Sequence, residues 1–236
     1  PDKWPALLPT LVSTICSSDR LRVYNSLIAL RKIVKRFEYK VDTARLPLFH
    51  IMENALPAMQ TLLTNVKELN IIEAGMVMHV SLKILWSCTM YKLPPKEVKM
   101  DWDFWFQFLA FTLEKPLPEA SEGLEPAGQP TNEEARERWP WWKMKKWSSR
   151  CIKWIMQRYG NPKHVIAENQ EFAKVFRSQT SISLLGPVMN VCASKASGGF
   201  VTSTVQQYCL AYLQNAVEMA PTWKLMKPHL DFIVTK

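Results

Sequence analysis

Apolar side chains recur every three or four positions along most of this chain, a spacing that predicts one amphipathic helix after another. Over residues 5–16, Leu7, Leu8, Leu11, Val12 and Ile15 share a face, and Pro5 suits a first helical turn. Over 20–39, Val23, Leu27, Leu30, Val34 and Phe37 form one stripe, with Arg31, Lys32, Lys35 and Arg36 expected to project from the other side. Asp19 stands where that helix needs an N-cap. A third helix is expected over 46–68, kinked or split near Leu56 by Pro57. A fourth, over 72–91, is apolar on most sides, as a helix covered by its neighbours would be. Leu93-Pro94-Pro95 ends it.

The second half repeats the theme with more interruptions. Asp101 is placed to cap an aromatic helix over 102–114. The stretch 116–132 is rich in Pro, Gly and Glu and reads as a flexible acidic loop, an insertion rather than an effector element. Thr131 and Glu134 fit a capping box. Pro140 then separates a short helix from a main body over 141–159, with Gly160 as a C′ cap. Helix is expected again over 172–193, kinked at Gly186-Pro187. Ser197-Gly198-Gly199 reads as a turn, and helices follow over 201–219 and from Pro221 to Val234.

No apolar/polar alternation bounded by hairpin turns suggests a strand. Helices of this length in pairs predict an all-α fold, an α-α superhelix of antiparallel helix pairs. The whole of 1–236 is expected to form one such segment of about four to five pairs. Inner-helix centres near Ala29, Val80, Trp147 and Tyr208 are spaced more widely than the ~40–47 residues of a HEAT repeat, so periodicity alone leaves an irregular bundle open. Only seven glycines occur in 236 residues, which suits helices better than a sheet with many tight turns.

Composition narrows the function classes. No phosphate-cradling glycine motif, nucleophile elbow or zinc-protease signature is present, so no catalysis, metal or cofactor is expected. No segment reads as a membrane span. His79, in an apolar helix, reads as a satisfied core histidine rather than a ligand. Five cysteines without a C-x-x-C pair read as reduced core thiols. The chain begins at Pro1 and is expected to be a piece of something longer. Its net charge of +9 asks for an acidic counterpart: nucleic acid, an acidic protein face or a membrane surface.

The stretch Pro140-Trp-Trp-Lys-Met-Lys-Lys-Trp147 is the most unusual. Met144, Trp147, Cys151 and Trp154 fall at one helical spacing, and Lys143, Lys146, Arg150 and Lys153 at the same spacing one residue away. One reading is a charged binding face formed by Arg31, Lys35, Lys143, Lys146, Arg150 and Lys153, held rigid by a core of Trp141, Trp142, Trp147 and Trp154. The other is a core helix whose lysine stems cover apolar surface. Nucleic-acid binding is disfavoured, because no helix-turn-helix, zinc-finger, RNP or KH signature accompanies the charges.

Four blocks, in order, resemble the importin-β superfamily, in particular its importin seven/eight branch: Trp4–Pro9, Tyr24–Lys40, Pro140–Trp147 with Arg158-Tyr-Gly160, and Trp223–Asp231. The resemblance implies HEAT repeats, with outer and inner helices stacked into a solenoid. It also implies a nuclear transport receptor that shuttles between cytoplasm and nucleus through the pores of the nuclear envelope. Such a receptor binds phenylalanine-glycine nucleoporins and basic protein cargo such as ribosomal proteins or histones, and releases cargo to Ran-GTP. Two departures qualify this. The N-terminal repeats holding much of the Ran site, and the C-terminal arch, are expected to lie outside this segment. The family is acidic overall and this segment is basic, so the cargo site is expected elsewhere in the parent. The alternative is a helical-repeat scaffold for nucleic acid or for proteins in general.

Overall fold

A computed structural model describes residues 6–118, 130, 132–193 and 201–229. Those residues form helices α1 (Leu7–Ile15), α2 (Arg20–Phe37), α3 (Leu46–Val66), α4 (Ile72–Thr89), α5 (Trp102–Glu114), α6 (Glu133–Arg138) and α7 (Pro140–Tyr159). They continue with α8 (Gln170–Val175), α9 (Ser181–Ser183), α10 (Leu185–Cys192), α11 (Ser203–Ala216) and α12 (Ala220–Met226), and contain no strand. Contacts divide the chain into two compact units, one of residues 1–104 with 138–147 and one of 105–137 with 148–236.

In the first unit the sequence logic is direct. Asp19 accepts a hydrogen bond from the Arg22 amide at 3.0 Å and starts α2. Val23, Leu27, Leu30 and Val34 are buried, each contributing about 1.5–3 kcal/mol of apolar burial. The short turn between α1 and α2 makes them a hairpin, and α3 packs on both α1 and α4 while α2 packs on α4. The helix pairs are thus layered, α1 with α3 and α2 with α4, as in HEAT-type repeats. The all-α, helical-repeat fold expected from the spacing is the one observed. Buried residues occur on every side of α4, from Ala74 to Thr89. Gly75 permits the first part of α7 to approach closely: a Cβ there would sit 3.2 Å from the Trp141 ring.

Arg45 ties the unit together. It lies in a 3-10 turn (Asp42–Arg45) that opens at Asp42, whose positive φ of 49° is a conformation Asp tolerates. Its guanidinium is buried and donates to the carbonyl oxygens of Glu38 (2.8 Å), Cys88 (3.0 Å), Lys92 (3.2 Å) and Phe37 (3.2 Å). These carbonyls lie at or just beyond the C-terminal ends of α2 and α4, where helices leave acceptors unsatisfied. The two helices therefore end together and run the same way, with α3, which starts here, running against them.

In the second unit, α5 meets the later part of α7 through small polar residues: Thr112 donates to Ser148 at 2.9 Å, and Ser148 to the Leu109 carbonyl at 2.8 Å. Phe106, Tyr159, Phe172 and Phe176 form an aromatic cluster between α5, α7 and α8, with Phe172 and Phe176 near parallel at 8°. Tyr212 on α11 donates to the Ser181 carbonyl at 2.8 Å.

Several local expectations change. Pro57 neither splits nor ends α3; it and Glu53, whose carbonyl loses its partner, are both exposed, so water can complete the ladder. Asn132, not Thr131, caps α6, accepting from the Ala135 amide at 2.7 Å; Thr131 and most of the loop 116–132 lie outside the described residues, as does the turn at 197–199. Gly160 is not a left-handed cap. Its amide continues the helical ladder to Met156, and a Cβ would meet the Met156 carbonyl at 2.5 Å. The helix expected over 172–193 is interrupted by a π-helical turn, Phe176–Thr180, and again at Leu184, ahead of Gly186-Pro187. The final helix ends at Met226, followed by a 3-10 turn to His229; residues 230–236 are not described. Of the cysteines, Cys88, Cys151 and Cys209 are buried, but Cys192 is half-buried and Cys16 exposed. Burial pushes the Cys88 and Cys151 thiols up to about 12, which keeps them protonated and inert.

Candidate basic binding face

The named basic residues do not behave alike. Lys35 is exposed on α2, one turn from Arg31. Arg31 itself does not project freely: it donates to Ser87 Oγ at 2.6 Å and lies 3.7 Å from Glu38 Oε2. Glu38, buried at the end of α2, also accepts from Ser87 Oγ at 2.6 Å and from Trp86 Nε1 at 3.2 Å. A carboxylate at a helix C-terminus opposes the local dipole, so these donors and the Arg31 charge hold it there.

Lys143 and Lys146 are half-buried on the first part of α7. Lys143 joins a cluster that includes Lys83 of α4, a residue hidden in sequence within an apolar helix. The Lys83 ammonium is pulled below its ordinary range, first by burial and then by the neighbouring charges of Arg31, Lys143 and Lys35. Its Nζ stands 5.4 Å from the centre of the Trp147 ring, a cation–π contact. His79, one turn earlier on α4, is pushed down to about 3 by burial, then by Lys83 and Lys143, and is neutral at physiological pH. It is half-buried and makes no hydrogen bond among the described residues, so it is not the satisfied core histidine expected.

Arg150 and Lys153 are half-buried and belong to the second unit. There Lys153 Nζ sits 5.8 Å from the Tyr208 ring centre.

The tryptophans divide too. Trp141 and Trp142 are 1% exposed and form core. Trp147 and Trp154 are only half-buried. Trp147 makes an edge contact with Trp86 at 5.8 Å, while Trp154 lies under the Arg158 guanidinium at 5.9 Å. The buried stripe of α7 instead runs through Met144, Ser148, Cys151, Ile152, Ile155 and Tyr159. Two buried serines, Ser148 and Ser149, read as surface from sequence, yet their small size lets helices meet closely.

Among the described residues, no group of three or more His, Cys, Asp or Glu side chains could hold a metal ion. No helix there is long and apolar enough to cross a membrane.

No family model matches the chain, and no solved structure matches it. Curated relatives do. An importin beta-like SAD2 homolog of Arabidopsis thaliana is 27% identical over 99% of this chain and 22% of its own length. Importin-8 of Homo sapiens is 26% identical over 99% of this chain and 22% of its own, and importin-8 of Danio rerio is 28% identical over 99% and 23%. The chain thus spans about a fifth of the length of these relatives. Along nearly all of its length, and at low identity, this helical-repeat chain is homologous to importin-8 and importin-β-like proteins.

Proposed function

We propose that this chain is one segment, four to five helix pairs long, of a non-catalytic nuclear transport receptor of the importin-β type. The observation that carries the reading is similarity to importins over 99% of the chain, on layered helix pairs that have the form such a receptor needs. In this reading the receptor moves between cytoplasm and nucleus, binds phenylalanine-glycine nucleoporins, carries basic protein cargo and answers to Ran-GTP. The segment contributes scaffold, nucleoporin contacts and part of the basic face. The rest of the Ran and cargo sites belongs to other repeats.

A groove supports the nucleoporin part of the reading. It occupies about 1330 Å³ between α1, α2 and α3, with Leu8, Val12, Ile33, Phe37 and Ile51 in its walls. Such a wall accepts a phenylalanine ring with little polar loss. The test is capture of the chain on immobilised phenylalanine-glycine repeats, beside serine-glycine repeats of equal length. Weak, reversible capture by the first alone is expected, reduced by Val12→Asp. Equal retention on both matrices, or none on either, rejects the reading.

A further inference from the structure

We propose that Arg31, Lys35, Lys83 and Lys143, with the Trp147 ring beside them, form a docking site for an acidic polypeptide segment, one with several Asp or Glu residues within about ten positions. The proposal rests on the reading of the chain as a protein-binding scaffold and names the chemistry of one partner.

The cluster is assembled from three helices of the first unit. Arg31 and Lys35 come from α2, Lys83 from α4 and Lys143 from the first part of α7. Their mutual influence places them within electrostatic reach of one another: Lys83 feels Arg31, Lys143 and Lys35, and His79 feels Lys83 and Lys143. Like charges gathered this way raise the energy of the fold unless something offsets them.

Within the fold very little does. Glu38 is the one carboxylate paired with any of the four among the described residues. It is buried and already engaged by Arg31, Ser87 and Trp86. Lys35, Lys83 and Lys143 have no carboxylate partner among the described residues. His79 adds no anion and stays neutral. Three ammonium groups beside an aromatic face are thus left for an external counter-charge.

The compactness of the site favours a peptide over nucleic acid. Three lysines and one arginine on adjacent helices match a short run of carboxylates. Non-specific nucleic-acid binding instead draws on an extended track of phosphate contacts and stacking rings. Here Arg31 is tethered inward, and Trp147 is already covered by Lys83 on a face and by Trp86 at an edge.

The experiment is fluorescence anisotropy with the full 236-residue chain. The probes are a labelled ten-residue peptide containing six Glu, its Gln counterpart, and a fifteen-nucleotide oligothymidine. The Glu peptide should bind at low salt and weaken steeply as salt rises, and the Gln peptide should not bind. Lys35→Gln with Lys143→Gln should weaken the Glu peptide roughly tenfold, as removing favourable interfacial charges does. Lys83→Gln should weaken it further. A control with the same charge change in the second unit, Lys163→Gln with Lys174→Gln, should change affinity less than about twofold. Circular dichroism melts confirm that each variant is folded.

Equal losses in the two double variants would reduce the effect to net charge and overturn the site. So would tighter binding of the oligonucleotide, lost in the same cluster variant, which would assign the face to nucleic acid. Capture on phenylalanine-glycine repeats should be unchanged in Lys35→Gln/Lys143→Gln. If that capture fails while peptide binding persists, the transport reading falls and the docking site stands. If capture persists and the peptide does not bind, the docking site alone falls.

Discussion

Two cationic centres share the first unit, and they are built on opposite principles. Arg45 is buried, and the backbone supplies its partners: carbonyls at the ends of α2 and α4 surround its guanidinium. Lys83, on the same α4, is surrounded by other cations and leans on a tryptophan ring. At Arg45 the charge closes the structure, since carbonyls that helices leave orphaned become its ligands. At Lys83 the charge leaves the structure open, since its neighbours repel it. A satisfied buried cation points to stability, and an unsatisfied cluster points to something bound.

The largest expected effect breaks the first centre. Arg45→Met keeps the volume but strands several buried carbonyls, and should cost about 3–5 kcal/mol in urea unfolding. Arg45→Lys should rescue little, because a point ammonium cannot reach the carbonyls of both helices at once. A loss below about 1 kcal/mol for Arg45→Met would mean that water replaces the guanidinium and that the contrast is false.

Glu38→Gln sharpens the comparison from the other side. It removes the carboxylate that holds Arg31 and leaves the cations less balanced, so stability should fall by about 1–3 kcal/mol, more at low salt. Insensitivity of that loss to salt would show that hydrogen bonding to Ser87 and Trp86, not charge, is what Glu38 contributes.

The third effect is a pH dependence. The folded state holds His79 neutral down to about 3, whereas the unfolded chain takes up a proton near its ordinary 6.5. The unfolded state therefore binds more protons between those values, and this contribution to stability is complete above pH 6.5 and lost as pH falls. By pH 5.5 the loss should be about 1 kcal/mol, and His79→Leu should remove it from the pH profile. The same slope in the variant would place the titration elsewhere. The smallest effect has the opposite sign: Lys83→Met relieves repulsion while keeping the packing stem, and should stabilise by roughly 0.5 kcal/mol at low salt. Destabilisation would show that the Trp147 contact outweighs the repulsion.

This contrast also explains what could be read in advance. Helices capped by Asp19 and Asp101 were legible because cap and stripe are local in sequence. Arg45 was not, since its partners are carbonyls up to 47 residues away and carbonyls have no sequence signature. Lys83 was missed because α4 reads as apolar, and its charged neighbours come from α2 and α7. Trp147 and Trp154 were placed in the core by size and spacing, whereas the tighter packing is made by Ser148 and Ser149. Lys35 and Lys143 were named correctly as cations on their helices, but which third helix completes their cluster is a property of the tertiary fold alone.

The π-helical turn at Phe176–Thr180 has an evolutionary corollary. Such a turn accommodates one surplus residue without breaking the rod. Excising a single position there would return the stretch to ordinary α geometry and swing everything downstream by about 100°. Leu185, Val188 and Val191 would then leave the interior together. The segment is therefore fixed in length even where its individual side chains, such as exposed Ser178 and Gln179, are free to drift.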